Sequence, residues 1–141
     1  MTGVAVLGFG PSASAETPGT CWDNYEGTVS GYMSAYSQVN CDGFLGTASG
    51  NDLNWNDSSG SFQGDAYKAS SVVNKGNCSE VKFFLGTGGN SNLHICLTRA
   101  EGFVRDLTDD YWLGERDFGS VNNAIGSHRW VERTACSALA V

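Results

Sequence analysis

Seven short apolar or alternating runs are spaced along the chain between clusters of turn-forming residues: YMSAYS from Tyr32, SFQG from Ser61, SSVVN from Ser70, VKFFL from Val81, LHICLT from Leu93, GFVRDL from Gly102 and HRWV from His128. A period of two sends successive side chains to opposite faces of a strand, so each run predicts a short β-strand with one face on a core. No long stretch sustains a helical period. The best helix candidate, LTDDYWLG at 107–114, is at most two turns long. Nineteen glycines and two prolines punctuate the runs and leave no room for crossover helices, so the chain reads as all-β.

A repeat underlies the runs. YSQVNCDG (Tyr36 to Gly43) and FLGTGGNS (Phe84 to Ser91) each place an aromatic at a strand end, then four residues, a small residue, one more, and Gly or Ser, at an offset of 48. NDLNW from Asn51 aligns with RDLTD from Arg105 at an offset of 54, and KASSVVN from Lys68 with AIGSHRW from Ala124 at 56. A slowly growing offset is what loop insertions in a duplicated unit produce.

Two four-strand units, each with an early aromatic hairpin and a late Asn/Asp, Asn/Asp, x, x, Ser/Thr, Ser loop, resemble a βγ-crystallin domain, a sandwich of two Greek keys. More narrowly, DSSGSFQGDAYKASSVVNKG, VKFFLGTGGNSNLHICL and NNAIGSHRWV resemble the secreted bacterial peptidase inhibitors of βγ-crystallin type, the family that includes metalloproteinase inhibitors. The resemblance covers Tyr32 to Val131. Within it Cys41 and Gly89 stand where the hairpins usually carry a second aromatic, and Ser91 where the second key usually has glycine.

The resemblance implies calcium sites shared between the keys, an amide or carboxylate and a backbone carbonyl coming from one loop and a hydroxyl from the other. A calcium ion takes about six to eight oxygens, which one short loop cannot supply. On this chain the implied ligands are Asn122, Asn123 and the Ala124 carbonyl, with the Ser70 hydroxyl reaching across. The reciprocal site lacks its oxygens, because Ala66 and Tyr67 replace the amides and Gly126 the hydroxyl, and Asp65 is the nearest anion. At most one calcium ion is therefore expected, held weakly because no ligand is a carboxylate, with a dissociation constant on the order of 0.1 to 1 mM. No cofactor is required.

The opening MTGVAVLGFGPSASA is apolar and ends in small residues like a secretory cleavage site, but lacks the basic front. Met1–Ala15 is read as a signal-peptide remnant and 16–141 as a single domain, secreted and extracellular. Five cysteines with no C-x-x-C spacing then point to disulfides, one thiol being left over. The turn LGTGGNSN folds one strand onto the next, which predicts a Cys78–Cys96 bridge; the partners of Cys21, Cys41 and Cys136 stay open. A net charge of −7 with only 8 Lys and Arg argues against nucleic acid and anionic membranes as partners.

Catalytic motifs such as H-E-x-x-H and G-x-S-x-G are absent from the sequence. His94 and His128 read as satisfied or exposed strand histidines, and Asp109, Asp110, Glu115 and Asp117 as solvated charges. Trp130 and Phe83 are assigned to the core, while the Asn and Asp around Trp55 and Trp112 leave those two open. The expectation is a non-enzymatic monomer that inhibits an extracellular peptidase. The alternatives are a calcium-binding or structural βγ-crystallin module, and a carbohydrate-binding surface protein.

Overall fold

The computed structural model describes residues 20–141; the segment Met1–Ala15 read as a leader lies outside the described residues. Helix α1 (Thr20–Gly27) comes first, followed by β1 (Met33–Gln38), β2 (Asp42–Ala48), β3 (Ser71–Asn74), β4 (Glu80–Leu85), β5 (His94–Leu97), β6 (Phe103–Val104) and β7 (Ile125–Val131). Two antiparallel sheets form, ordered β2-β1-β3-β6 and β5-β4-β7. The first half of the chain supplies three strands of the first sheet and the second half its last, β6. In the other sheet Asp52, from the first half, bridges His128 on β7. This exchange of a strand between halves makes the two Greek keys interlock as an all-β sandwich.

The repeat is visible as matched hydrogen bonds. Ser71 Oγ accepts from the Cys41 N–H (2.9 Å) and donates to the Gln38 carbonyl (2.6 Å). Ser127 Oγ accepts from the Gly89 N–H (2.9 Å) and donates to the Gly86 carbonyl (2.8 Å). Each serine ties a folded hairpin to the last strand of its key, and both hairpins turn through the left-handed region, at Asn40 and Cys41 in one and Gly88 and Gly89 in the other.

Alternate residues of β1 and β4 face the core between the sheets, while β3 is buried at every position. Met33 and Ala35 of β1 point inward and are fully buried, as are Val81 and Phe83 of β4. Between the sheets lie Trp55, Phe62, Phe83, Ile95, Leu97, Leu107, Trp112 and Ile125. Trp55 and Trp112 are thus core despite their polar neighbours, whereas Trp130 is only partly buried at the core's edge. The polar neighbours of Trp55 fold back on the backbone: Asp52 accepts from the Asn54 N–H (3.1 Å) and Asn54 from the Asn56 N–H (2.9 Å). Such turns let the chain dip inward and bury an aromatic between polar residues.

Four expectations are corrected. The 107–114 stretch forms two single 3-10 turns, Leu107–Asp109 and Trp112–Gly114, because Leu107, Asp110 and Trp112 all turn inward, a spacing no α-helical face can hold. SFQG is no strand; only Phe62 is buried, and it stacks on Trp55 with ring centroids 4.0 Å apart. Strand β2 (DGFLGTA), in turn, escapes the hydrophobic pattern because its glycines lower strand propensity, yet a Cβ at Gly46 would meet the Phe62 ring at 2.9 Å. Finally, Cys78 does not pair with Cys96. The disulfides are Cys21–Cys41 and Cys96–Cys136, with Cα atoms 4.9 and 5.8 Å apart, and Cys78 is a free exposed thiol. The hairpin register sets Cys96 opposite Lys82, four residues past Cys78. At about 3.3 Å per strand residue that separation exceeds the ~7 Å Cα reach of a disulfide.

Candidate functional site

The two late loops, 66–71 and 122–127, meet around a pseudo-twofold axis. The Tyr67 N–H donates to the Ile125 carbonyl (2.8 Å) and the Asn123 N–H to the Ala69 carbonyl (2.9 Å), an exchange between positions one repeat apart. Tyr67 and Asn123 both adopt left-handed backbone, φ 67° and 57°, which Asn tolerates better than most residues. Ser70 is fixed on both sides: its N–H donates to the Tyr36 carbonyl (2.8 Å) and its carbonyl accepts from Leu107 (3.0 Å).

From that position the Ser70 hydroxyl faces the Asn123 side-chain oxygen across the keys at 3.4 Å. Asn122 donates its N–H to Ser120 Oγ (3.1 Å), and its side-chain oxygen Oδ1 is buried with no hydrogen-bond partner. A buried oxygen without a donor costs free energy that a cation would recover, so the donors present fit a hard cation in kind. They are all neutral. Among the described residues no group of three or more His, Cys, Asp or Glu is placed to hold a metal.

The reciprocal side is closed by geometry as well as by composition. Ala66 is buried and Tyr67 exposed, and Asp65 spends its carboxylate on the Gln63 N–H (2.9 Å). At Gly126 a Cβ would overlap the Gly86 backbone, so no serine or threonine fits there without moving the hairpin.

Of the charges expected to be solvated, Asp109, Glu115 and Asp117 are exposed and Asp110 is not, while His128 is a satisfied strand histidine as expected. His128 is fully buried: its Nδ1 accepts from the Trp55 indole N–H (3.0 Å), which leaves Nε2–H to donate to the Gly50 carbonyl (2.8 Å). Burial lowers its pKa to about 4. With both nitrogens engaged, this ring holds the 50–55 segment onto β7. His94 is half-buried, and burial together with the nearby Lys82 charge lowers its pKa. Asp110, unlike the exposed Asp109, Glu115 and Asp117, is buried; Oδ1 accepts from the Val141 N–H (3.1 Å) and Oδ2 has no partner. Burial raises its pKa to about 6, with Asp109, Asp106 and Glu101 adding repulsion.

A second feature escaped the sequence reading. Asn56 to Ser61 are all exposed, yet they hang between two fully buried, stacked aromatics, Trp55 and Phe62. The Asp65 N–H closes the loop neck on the Trp55 carbonyl (2.7 Å), and Asp52 accepts from the Phe62 N–H (2.9 Å). Inside, Asp57 accepts from the Ser59 N–H (3.0 Å) and the Gln63 amide donates to the Gly60 carbonyl (3.1 Å). A Trp and a Phe seven residues apart, flanking NDSSGS, were the available signal; reading SFQG as a strand hid it.

The interlocked keys, paired serines and exchanged late loops define a domain of βγ-crystallin fold. Among solved structures, one described as "Evolution of the eye lens beta-gamma-crystallin domain fold" is similar, with a TM-score of 0.54 and 26% identity over 74% of this chain and 89% of that chain. No family model matches the sequence, and none of the curated proteins matches it.

Proposed function

We propose that the protein is a secreted, non-enzymatic module of βγ-crystallin type that inhibits an extracellular peptidase by seating the loop Asn56–Ser61 in its cleft. The observation that supports this reading is the loop itself: six exposed residues pinned at both ends by the Trp55–Phe62 stack. Steric inhibition needs a surface already in its bound shape, since ordering a free loop costs roughly 1 to 2 kcal/mol per residue of backbone entropy. Two disulfides among the described residues suit an oxidising compartment.

The test is titration of the chain from Glu16 onward against metallo-, serine and cysteine peptidases. Block at equimolar protein, with any slow cleavage confined to residues 56–61, is the expected result, and Trp55→Ala, which frees the loop, turns the inhibitor into a substrate. Failure to inhibit any of the three classes at tenfold molar excess would rule the reading out.

A second reading, supported by the 3.4 Å approach of Ser70 Oγ to Asn123 Oδ1 and the unpartnered Asn122 oxygen, is a structural module that binds one calcium ion weakly. Asn122, Asn123, the Ala124 carbonyl and Ser70 would hold the ion, whose contribution is to cross-link the two keys. The two readings are compatible, since the cation loops lie apart in sequence from residues 56–61.

A further inference from the structure

The outer face of the first sheet is only half covered. Helix α1 is stapled to the β1–β2 hairpin by Cys21–Cys41, and its Tyr25 packs on Phe103 of β6, in a small cluster with Val73. Beyond the helix, over β1 and β2, the face stays open as a groove of about 410 Å³. Three aromatic rings line it, Tyr32, Tyr36 and Phe44. Tyr36 is buried and meets Phe44 edge-on at 5.8 Å, which props the Phe44 ring up so that the residue is 63% exposed.

Between the rings lies a chain of hydroxyls. Ser34 Oγ donates to Thr47 Oγ1 (3.1 Å), and Thr47 Oγ1 donates to the Met33 carbonyl (2.8 Å). A hydroxyl has one proton and two lone pairs, so Ser34 and Thr47, their protons already committed, retain acceptor capacity. None of the residues lining the groove is charged, in a chain of net charge −7.

The geometry points to a binding site for a neutral saccharide in this groove. A pyranose carries an apolar C–H face for the exposed Phe44 ring and a rim of O–H donors for the Ser34 and Thr47 lone pairs. An anion finds no cation here, and a cation no carboxylate. A peptide adding as a strand needs unpaired backbone; β1 is hydrogen-bonded on both sides, and the free side of β2 is the sheet's outer edge, so such a peptide would pair beside the sheet and not lie in the groove over its face. The site shares no lining residue with the 56–61 loop and does not depend on peptidase inhibition.

Amide chemical shifts of the chain from Glu16 onward, titrated to 10 mM with the neutral trisaccharides of N-acetylglucosamine and of β-1,4-, β-1,3- and α-1,4-linked glucose, test the inference. At least one should move the amides of Tyr32, Ser34, Phe44 and Thr47 together. Truncating an exposed stacking ring should weaken that binding about tenfold or more in Phe44→Ala, while Phe44→Trp keeps it within about threefold. Both variants should melt with the parent, because the ring is mostly in water. If Phe44→Ala melts early, Phe44→Trp and Thr47→Val carry the comparison, the former binding and the latter weakened. No shift with any of the four sugars, shifts centred elsewhere, or unchanged binding by a folded Phe44→Ala would overturn it.

Discussion

Asp110→Asn should stabilise the protein at neutral pH and make no difference in acid. The Asp110 carboxylate is buried, with only one of its oxygens bonded, to the Val141 N–H, and burial raises its pKa from 3.8 to about 6. A group whose folded pKa lies above its unfolded one favours the folded state only while protonated, so stability falls as pH rises between about 4 and 6. The shift corresponds to at most about 3 kcal/mol, the full penalty being present above pH 6.5. In Asp110→Asn the amide oxygen can keep the Val141 bond, and a neutral NH₂ replaces the unpartnered charge. The protonated carboxyl leaves the same buried position unsatisfied as the amide does, so the two proteins match in acid and the expected gain at pH 7.5 is the titration penalty itself, up to about 3 kcal/mol.

His128 has the opposite sign. Its folded pKa is lowered from 6.5 to about 4, so the stability of its neutral form is complete above pH 6.5 and is lost as pH falls toward 4. That loss is also about 3 kcal/mol, so between pH 4 and 6 the two groups nearly cancel in the parent protein. Urea unfolding at half-unit steps from pH 3.5 to 8 reads both. The parent should show a shallow dependence where Asp110→Asn shows a steep acid decline, the two curves meeting near pH 3.5. A stability gap that does not change with pH, or an Asn variant weaker than the parent at pH 8, would refute the reasoning.

Calcium at ten times its dissociation constant should stabilise the parent by about 1.4 kcal/mol, seen as a shifted melting curve. Calorimetry should count one ion, and Asn122→Ala or Ser70→Ala should abolish the shift in a folded protein; two ions, or submicromolar affinity, would mean the loop with Ala66 and Tyr67 binds after all. Cys78 should take up one equivalent of a thiol reagent without denaturant, and peptide mapping should find Cys21 linked to Cys41 and Cys96 to Cys136. Cys96→Ser with Cys136→Ser, which opens a loop with a sequence separation of 40, should cost about 2 to 4 kcal/mol; a Cys78 cross-link in the map would contradict the β4–β5 register.

The fold was legible in the sequence where its physics is local and periodic. VKFFL becomes a strand with Val81 and Phe83 on the core, SSVVN one buried on both faces, with Val72 in the main core and Val73 in the cluster with Cys21 and Tyr36, and the offsets of 48 and 56 anticipate the positions where Ser71 and Ser127 tie the two hairpins. Periodicity failed wherever tertiary contact decides. Strand β2 is held by its pairing with β1 and its packing under Phe62; LTDDYWLG bends to bury Leu107 and Trp112 together. The disulfides failed for a similar reason. Sequence proximity across a hairpin is no guide to partners when register places Lys82 opposite Cys96, and Cys21 meets Cys41 only because α1 docks there.

The candidate site shows the same division. Ser70 and Asn123 are set against each other by the resemblance, which implies a site shared between the keys, and their oxygens do approach, at 3.4 Å. What sequence could not express is why the keys are unequal. Both keys carry a long segment between their second and last strands, 49–70 and 98–124, but they pack differently: the first carries Trp55 and Phe62 into the core and lays Asp52 and Gly50 on His128, while the second brings in Leu107 and Trp112. The first segment's return through Asp65, Ala66 and Tyr67 serves that packing: the Asp65 N–H closes the loop neck, its carboxylate accepts from the Gln63 N–H, and Ala66 is buried with no side-chain oxygen. Opposite them Gly126 sits against the Gly86 backbone, where a hydroxyl-bearing residue would collide. The contacts that close the neck of the 56–61 loop thus also set the shape of the 65–67 return, while the unpartnered Asn122 oxygen and the Ser70–Asn123 approach lie on the other side of the axis.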